Sequence, residues 1–432
     1  MAEETPAAAN ASIQIADTAV RLLAAFQLLL MFVTLAIWYN SGPFPVIPLL
    51  NPSRFPLPPL TTCSTVLALA CLVIALSGGF RRLAIAKQAR IVSRWTLIAF
   101  TAGIVATVAN QQCLQAWHVF FLWALSASLF LKPERRLIAI RHLFACVYVC
   151  SGLSRISNTP ASSATGMILA QLVVWLPDAV RPNQDQFTLI CHAAAFFEIA
   201  LGLLLLVPGR LQRIGLSAAC CLHGTLLLAL GPLGLGHHAG VLIWNLCLLF
   251  LLPLTFRLPV ERLSKHTMSG NGKSQTSATP GIRLSADALW FLLLWTISLA
   301  GLAGITDNWP SWQLYSPRPE QWQLWIDRRS ATHLSPPFVT SPILATVDQF
   351  IPVRLDQASL VHTGTPLYPE DRFQLALIES VLQQLPPDAR FEVRIDQPNR
   401  FPWWTRTLRT IQTREELARE HQQFLFNSYP AQ

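Results

Sequence analysis

The chain has 432 residues, 52% of them hydrophobic and only 13% charged, with a formal net charge of +9. Soluble domains carry about 25% charged residues, so the composition excludes an ordinary soluble protein and indicates one built for a membrane. Residues 1–304 hold 20 Lys/Arg against 9 Asp/Glu, whereas residues 305–432 hold 12 Arg against 14 Asp/Glu, so the basic balance belongs to membrane-flanking loops and is no nucleic-acid footprint.

Residues 1–18 are polar and acidic, unlike the basic start of a cleavable signal. They are expected to be a cytoplasmic tail before an uncleaved first anchor. A spanning helix needs about 20 mostly apolar residues, and nine segments qualify: roughly 19–38, 61–80, 94–112, 115–131, 137–156, 187–207, 211–230, 238–256 and 285–304. With the N-terminus inside, the inner loops hold 16 basic residues: Arg81, Arg82, Lys87, Arg90 and Arg94; Lys132, Arg135, Arg136 and Arg141; Arg210 and Arg213; Arg257, Arg262, Lys265, Lys273 and Arg283. The outer loops hold three, Arg54, Arg155 and Arg181. This alternation predicts a cytoplasmic N-terminus in the inner (cell) membrane and an extracytoplasmic C-terminus.

Loop 39–60 is proline-rich and is expected to form an extended cover over the outer face. The apolar run Met167 to Leu176 is too short to span and reads as an interfacial or re-entrant helix ended near Pro177. Residues 264–281 read as a flexible linker. The aromatics of 305–325 (Trp309, Trp312, Tyr315, Trp322 and Trp325) favour a headgroup layer, with a ligand-stacking surface as the alternative. Residues 326–432 read as a small soluble α+β domain with a helix over 369–384, a strand over 391–395 and a helix over 413–424. Thr413 is the N-cap of that last helix and Glu416 lies three residues on. The fold class is therefore an all-α polytopic membrane protein of about nine helices with a small C-terminal α+β extracytoplasmic domain.

The nine cysteines lie in or beside apolar segments. None forms a CxxC or a ligand-spaced cluster, so a disulfide framework and a metal site are not expected. Cys146 and Cys150, one helical turn apart, read as small packing residues, with a redox pair as the alternative.

The ionisable residues inside the apolar segments point to a site. Glu198 and His223 sit near the middles of two consecutive spans, 187–207 and 211–230, at similar depth in an antiparallel hairpin. An ionisable group at mid-membrane costs about 2.5 kcal/mol or more on insertion scales, so it is turned inward, paired or used. These two are the candidate catalytic residues; the alternative is that they only hold helices together. Arg155, His118 and His192 are candidate ligand-binding residues. His192 is six residues before Glu198 and faces another direction. Asn245 either joins the pocket or bridges helices, and Arg141 and His142 are expected to snorkel towards the inner surface.

Residues 145–250 resemble the horizontally transferred transmembrane (HTTM) family, which includes the membrane part of vitamin K-dependent gamma-glutamyl carboxylase; DoxX and MauE membrane proteins look more distantly similar. The resemblance rests on Tyr148-Val-Cys-Ser-Gly-Leu-Ser-Arg-Ile156, then the short helix at 164–176, then Phe196-Phe-Glu-Ile-Ala-Leu-Gly-Leu-Leu204, then Cys221-Leu-His-Gly-Thr225. It implies a membrane domain over 19–304 with a polar pocket near the outer leaflet. In the carboxylase the Lys of the first element is the base that starts the chemistry. This chain has Arg155 there, and an arginine is not deprotonated in proteins. Carboxylase activity is therefore not expected. Arg155 either holds an anionic head group or pairs with Glu198.

Three functions follow: a membrane-embedded enzyme or lipid- or quinone-binding protein using Glu198, His223 and Arg155; a non-catalytic membrane scaffold whose outer domain binds a partner; and a transporter. No inverted repeat or pair of broken spans supports the transporter. Membrane lipids are the partners the sequence implies. It names no cofactor, substrate or reaction.

Overall fold

A backbone in hydrocarbon must satisfy its own hydrogen bonds, so apolar segments of this length become helices. The computed structural model describes the chain apart from residues 1–5, 40–42, 52–57, 78–84, 158–159, 161–162, 258–284, 315, 335, 340–349, 400–404 and 432. The side chains of 6–9, 85–89 and 164 are likewise outside the description. The expected linker 264–281, Tyr315, Arg54 and the basic residues Arg81, Arg82, Arg262, Lys265, Lys273 and Arg283 lie outside the described residues.

The helices in chain order are α1 (Pro6–Val33), α2 (Leu35–Tyr39), α3 (Leu60–Leu76), α4 (Ile85–Ala109), α5 (Ala116–Phe130), α6 (Pro133–Ser154), α7 (Ala164–Val174), α8 (Gln184–Leu206), α9 (Arg210–Leu230), α10 (Ala239–Phe256) and α11 (Ala286–Ala300). Seven of them (α1, α4, α6, α8, α9, α10 and α11) are long and apolar enough to cross a membrane, which is the make-up of a multi-pass membrane protein. The other two segments read as spans, α3 and α5, are shorter, at 17 and 15 residues. Helix α5 is buried over nearly its whole length, from Ala116 through Leu122 and again over Ala124–Ala127. Neighbouring helices enclose it, so the lipid thickness does not set its length. Helix α1 begins at Pro6, inside the stretch read as a tail, with Ser12, Ile15 and Ala16 buried.

Large apolar side chains face outward around the bundle, among them Leu69, Phe130, Leu189, Phe196, Ile214 and Leu292. In water such a girdle would drive aggregation; facing lipid, it costs nothing. Inside, helices approach through small residues. A Cβ on Gly152 of α6 would lie 2.6 Å from the Ala195 carbonyl of α8, and one on Gly202 of α8 would lie 2.8 Å from the Ala145 carbonyl of α6. Only glycine permits that antiparallel contact at both ends. Arg141 does not snorkel: it is buried, and its Nε and Nη2 donate to the Thr255 carbonyl at 2.9 and 2.7 Å. The end of α10 offers unpaired carbonyls, and a cation there satisfies one of them.

The C-terminal domain is a four-stranded antiparallel sheet in the order β2 (Phe350–Pro352), β1 (Gln321–Asp327), β3 (Phe391–Pro398), β4 (Arg406–Ile411), with Trp322 opposite Ile395 and Val393 opposite Ile411. Helices α12 (Leu355–Thr363), α13 (Asp371–Leu382) and α14 (Arg414–Glu420) accompany it. In β3, Phe391, Val393 and Ile395 alternate inward into a core shared with Phe373, Leu377 and Ile378 of α13. The Thr413 hydroxyl and Glu416 carboxylate form the reciprocal cap of α14. The sheet starts at Gln321, so Trp322 and Trp325 are strand residues. Trp312 is fully buried and donates its indole N–H to Ser298 of α11 at 2.9 Å. Trp309 packs edge-on against Tyr368. These two indoles join bundle to domain instead of facing headgroups.

Polar groups lock that joint. Gln112, in the turn between α4 and α5, donates to Ser359 Oγ, Thr365 Oγ1 and the Pro366 carbonyl, and its Oε1 accepts the Tyr368 amide at 3.2 Å. Gln111 accepts from Arg372 Nε at 2.9 Å, and the Arg372 guanidinium grips Asp307 through both terminal nitrogens. The bundle thus presents a fixed face to the domain at one end of its helices.

Candidate functional site

Helices α6 and α8 lie side by side, so Arg155, at the C-terminal end of α6, meets Glu198 in the middle of α8. The Arg155 Nη1 donates to Glu198 Oε1, and the two side chains are 13% and 10% exposed. Arg155 Nε also donates to the Leu314 carbonyl at 3.2 Å, and Ser316 Oγ donates to the Ser154 carbonyl at 2.9 Å. The segment after α11 therefore satisfies the Ser154 carbonyl at the end of α6 and holds the arginine in place. An arginine stays protonated, so the pair is a fixed dipole and offers no base.

A second polar unit lies deeper. Tyr148 precedes Arg155 by seven residues, two turns or about 10 Å along the same face of α6. Its hydroxyl lies 2.6 Å from Nε2 of His223 on α9, and Nδ1 of that imidazole lies 2.9 Å from Oδ1 of Asn245 on α10. Asn245 donates Nδ2 to the Val241 carbonyl at 2.9 Å, which turns its oxygen to the imidazole. An amide oxygen only accepts, so the neutral ring carries its proton on Nδ1. Its Nε2 then accepts from the Tyr148 hydroxyl. The relay runs Tyr148 to His223 to Asn245 across three helices, with all three residues buried.

Both units open onto one cavity of about 310 Å³, whose lining includes Tyr148, Arg155, Glu198, His223 and Asn245. Its other walls are mostly apolar: Ile168, Leu169 and Leu172 of α7, Phe197 of α8, Leu222 and Leu226 of α9, Trp244 and Leu248 of α10. Trp309, Ser316, Pro319, Pro366 and Pro369 close the end beneath the C-terminal domain. Ligand sites have this character, an apolar concavity with a few convergent polar groups, and about 310 Å³ is at the small end of their range. Helix α7 is short because Ser163 caps its start and Pro177 follows its end. It packs against α8 and α9 and brings its apolar side to the cavity.

Three further lining residues carry buried polar atoms with no partner among the described residues: the amide nitrogen and oxygen of Gln313, the Thr165 hydroxyl and the Trp117 indole nitrogen. Each such atom costs about 1–3 kcal/mol in a folded protein, and buried polar groups without partners are rare enough to call for a reason.

Of the residues singled out from sequence, Arg155, Glu198 and His223 share this cavity, and Asn245 joins them. His118 does not: it is fully buried elsewhere, with Nε2 3.3 Å from the Gly103 carbonyl and its ring edge-on to Trp38. His192 is half-buried and is not among the cavity's lining residues. In the sequence Tyr148 is marked only as the aromatic of the resemblance motif. Its seven-residue spacing from Arg155 was the available signal. Trp117, Thr165 and Gln313 carried no signal, because the cavity is assembled from distant segments. Cys146 and Cys150 are buried with their sulfurs 4.0 Å apart. Among the described residues no group of three or more His, Cys, Asp or Glu side chains is placed to hold a metal.

Neither protein-family models nor curated proteins nor solved structures give a match to this chain. The HTTM resemblance therefore rests on the motifs within residues 145–250 alone.

Proposed function

We propose that this is an HTTM-like membrane protein of nine spans, with a cytoplasmic N-terminus and an extracytoplasmic C-terminal domain, that binds a lipid or quinone-like amphiphile in the cavity between α6, α7, α8, α9 and α10. The observation that carries the reading is the convergence of Arg155, Glu198 and the Tyr148–His223–Asn245 relay on one apolar-walled hollow. An amphiphile matches such a hollow: apolar walls take a chain, and the fixed polar groups orient a head. Lys132, Arg135, Arg136, Arg210, Arg213 and Arg257 fall at the ends of helices away from the domain, which supports the orientation. Carboxylase chemistry is not part of the proposal, because Arg155 stands where the base lysine would be and is engaged by Glu198.

The relay fixes a hydrogen-bonding direction: Asn245 holds the His223 ring with its proton on Nδ1, Nε2 takes the hydrogen bond of the Tyr148 hydroxyl, and the phenol oxygen keeps its lone pairs for a donor on the ligand. The test is native mass spectrometry of the protein purified from membranes, beside Arg155→Ala, Glu198→Ala and His223→Ala variants that still elute as folded monodisperse species. An amphiphile retained by the wild type and lost from the variants is the expected result. An empty wild-type protein, or full retention by all three variants, overturns the reading.

A further inference from the structure

The cavity's charges are already balanced. Among its described lining residues Arg155 and Glu198 are the only formally charged side chains, and each meets the other. Both nitrogens of His223 are engaged, by Tyr148 and Asn245. An anionic head group brought to Arg155 would have to displace Glu198 and leave that carboxylate unmatched in an apolar wall, or place two negative charges against one cation. By contrast, four buried polar atoms of lining residues have no partner among the described residues: Nε2 and Oε1 of Gln313, Oγ1 of Thr165 and Nε1 of Trp117. Gln313 is 1%, Trp117 5% and Thr165 9% exposed. Together they supply three kinds of donor and two acceptors, all uncharged.

We propose that the ligand's head is uncharged and carries hydroxyl or carbonyl oxygens, as a diacylglycerol does, and that Gln313, Thr165 and Trp117 supply its hydrogen bonds beside an Arg155–Glu198 pair that stays closed; Arg155→Ala then loses the ligand by leaving Glu198 unmatched in the cavity wall. The inference rests on the amphiphile-binding reading and deepens it. In the structure the Gln313 amide nitrogen faces Gly301; on binding, its end and the Thr165 hydroxyl turn onto the ligand's oxygens. These two come from the segment after α11 and from α7, so a bound head bridges parts of the chain that the helical bundle alone does not join.

Two probes that share their acyl chains and differ by the phosphate separate the possibilities: dioleoylglycerol and dioleoyl phosphatidic acid, titrated into the protein in maltoside micelles and followed by native mass spectrometry. The expected result is dioleoylglycerol binding at least roughly tenfold tighter than phosphatidic acid, weakened roughly tenfold by Thr165→Val or Gln313→Leu and kept by Thr165→Ser. Leu169→Trp, which puts a bulkier side chain into the cavity, abolishes it. Phosphatidic acid binding equally or better, or Thr165→Val binding as wild type does, overturns this inference while the cavity reading stands, provided Leu169→Trp still blocks. Failure of both lipids to bind the wild type overturns both.

Discussion

Substitution of the cavity's ion pair separates a matched buried dipole from two independent polar residues. Glu198→Gln keeps the volume and an acceptor for Arg155 but leaves the guanidinium without a counter-charge. Removing one partner of a buried pair costs about 3–5 kcal/mol. With the side chains 13% and 10% exposed, the lower end applies, about 3 kcal/mol. Arg155→Met leaves the carboxylate unmatched and also strips the Leu314 carbonyl of its donor, adding about 1 kcal/mol. Independent effects would sum to about 7 kcal/mol. The double variant, Arg155→Met with Glu198→Gln, leaves no unmatched charge, and a loss of about 2 kcal/mol is expected, chiefly the lost hydrogen bonds. The assay is thermal denaturation in detergent at fixed pH, read as the fraction remaining monodisperse on size exclusion after heating. The double variant should survive to a higher temperature than either single one. If it falls by the sum of the two, or if Glu198→Gln keeps the wild-type midpoint, the pair is not the matched unit described here.

Three further outcomes follow from other parts of the fold. Gly152→Ala and Gly202→Ala each drive a methyl to within 2.8 Å of a backbone carbonyl across the α6–α8 contact, and should cost about 1–3 kcal/mol as overpacking. Gly224→Ala meets nothing within 4 Å and should be neutral or stabilise α9 by up to about 1 kcal/mol, all three read by the same heating assay. Glu370 accepts the Asn308 amide at 2.6 Å, and its burial, with Asp307 nearby, pushes its carboxyl up to about 8. The native protein then keeps a proton that the unfolded chain has released above the usual carboxylate range. Stability should fall as pH rises towards about 8, and Glu370→Gln should flatten that slope in melting curves at several pH values. Gln112→Leu removes three donated bonds and the acceptor for Tyr368 N, so hydrogen exchange should quicken over residues 355–370 while α6 and α8 stay protected.

Much of the scaffold was legible because hydrocarbon imposes a rule that can be read locally. Runs of apolar residues must be helical whatever they pack against, so the long segments and the short helix ending before Pro177 are visible in one dimension. The alternating strand at Phe391 and the Thr413–Glu416 cap are equally local signals. Glu198 and His223 stood out for the same reason, as ionisable groups where each costs free energy. What they meet was decided elsewhere. Helix α6 lies against α8 because Gly152 and Gly202 let the backbones touch, and only that contact brings Arg155 to Glu198. His118 has the same polarity as His223, yet it faces Gly103 and Trp38. Trp312 has the composition of an interfacial anchor, yet Ser298 and the folded domain bury it. Direction around a helix axis and the neighbour across it are set by packing between segments far apart in the chain. The cavity, its relay and its unpartnered Gln313 therefore exist only in the tertiary structure.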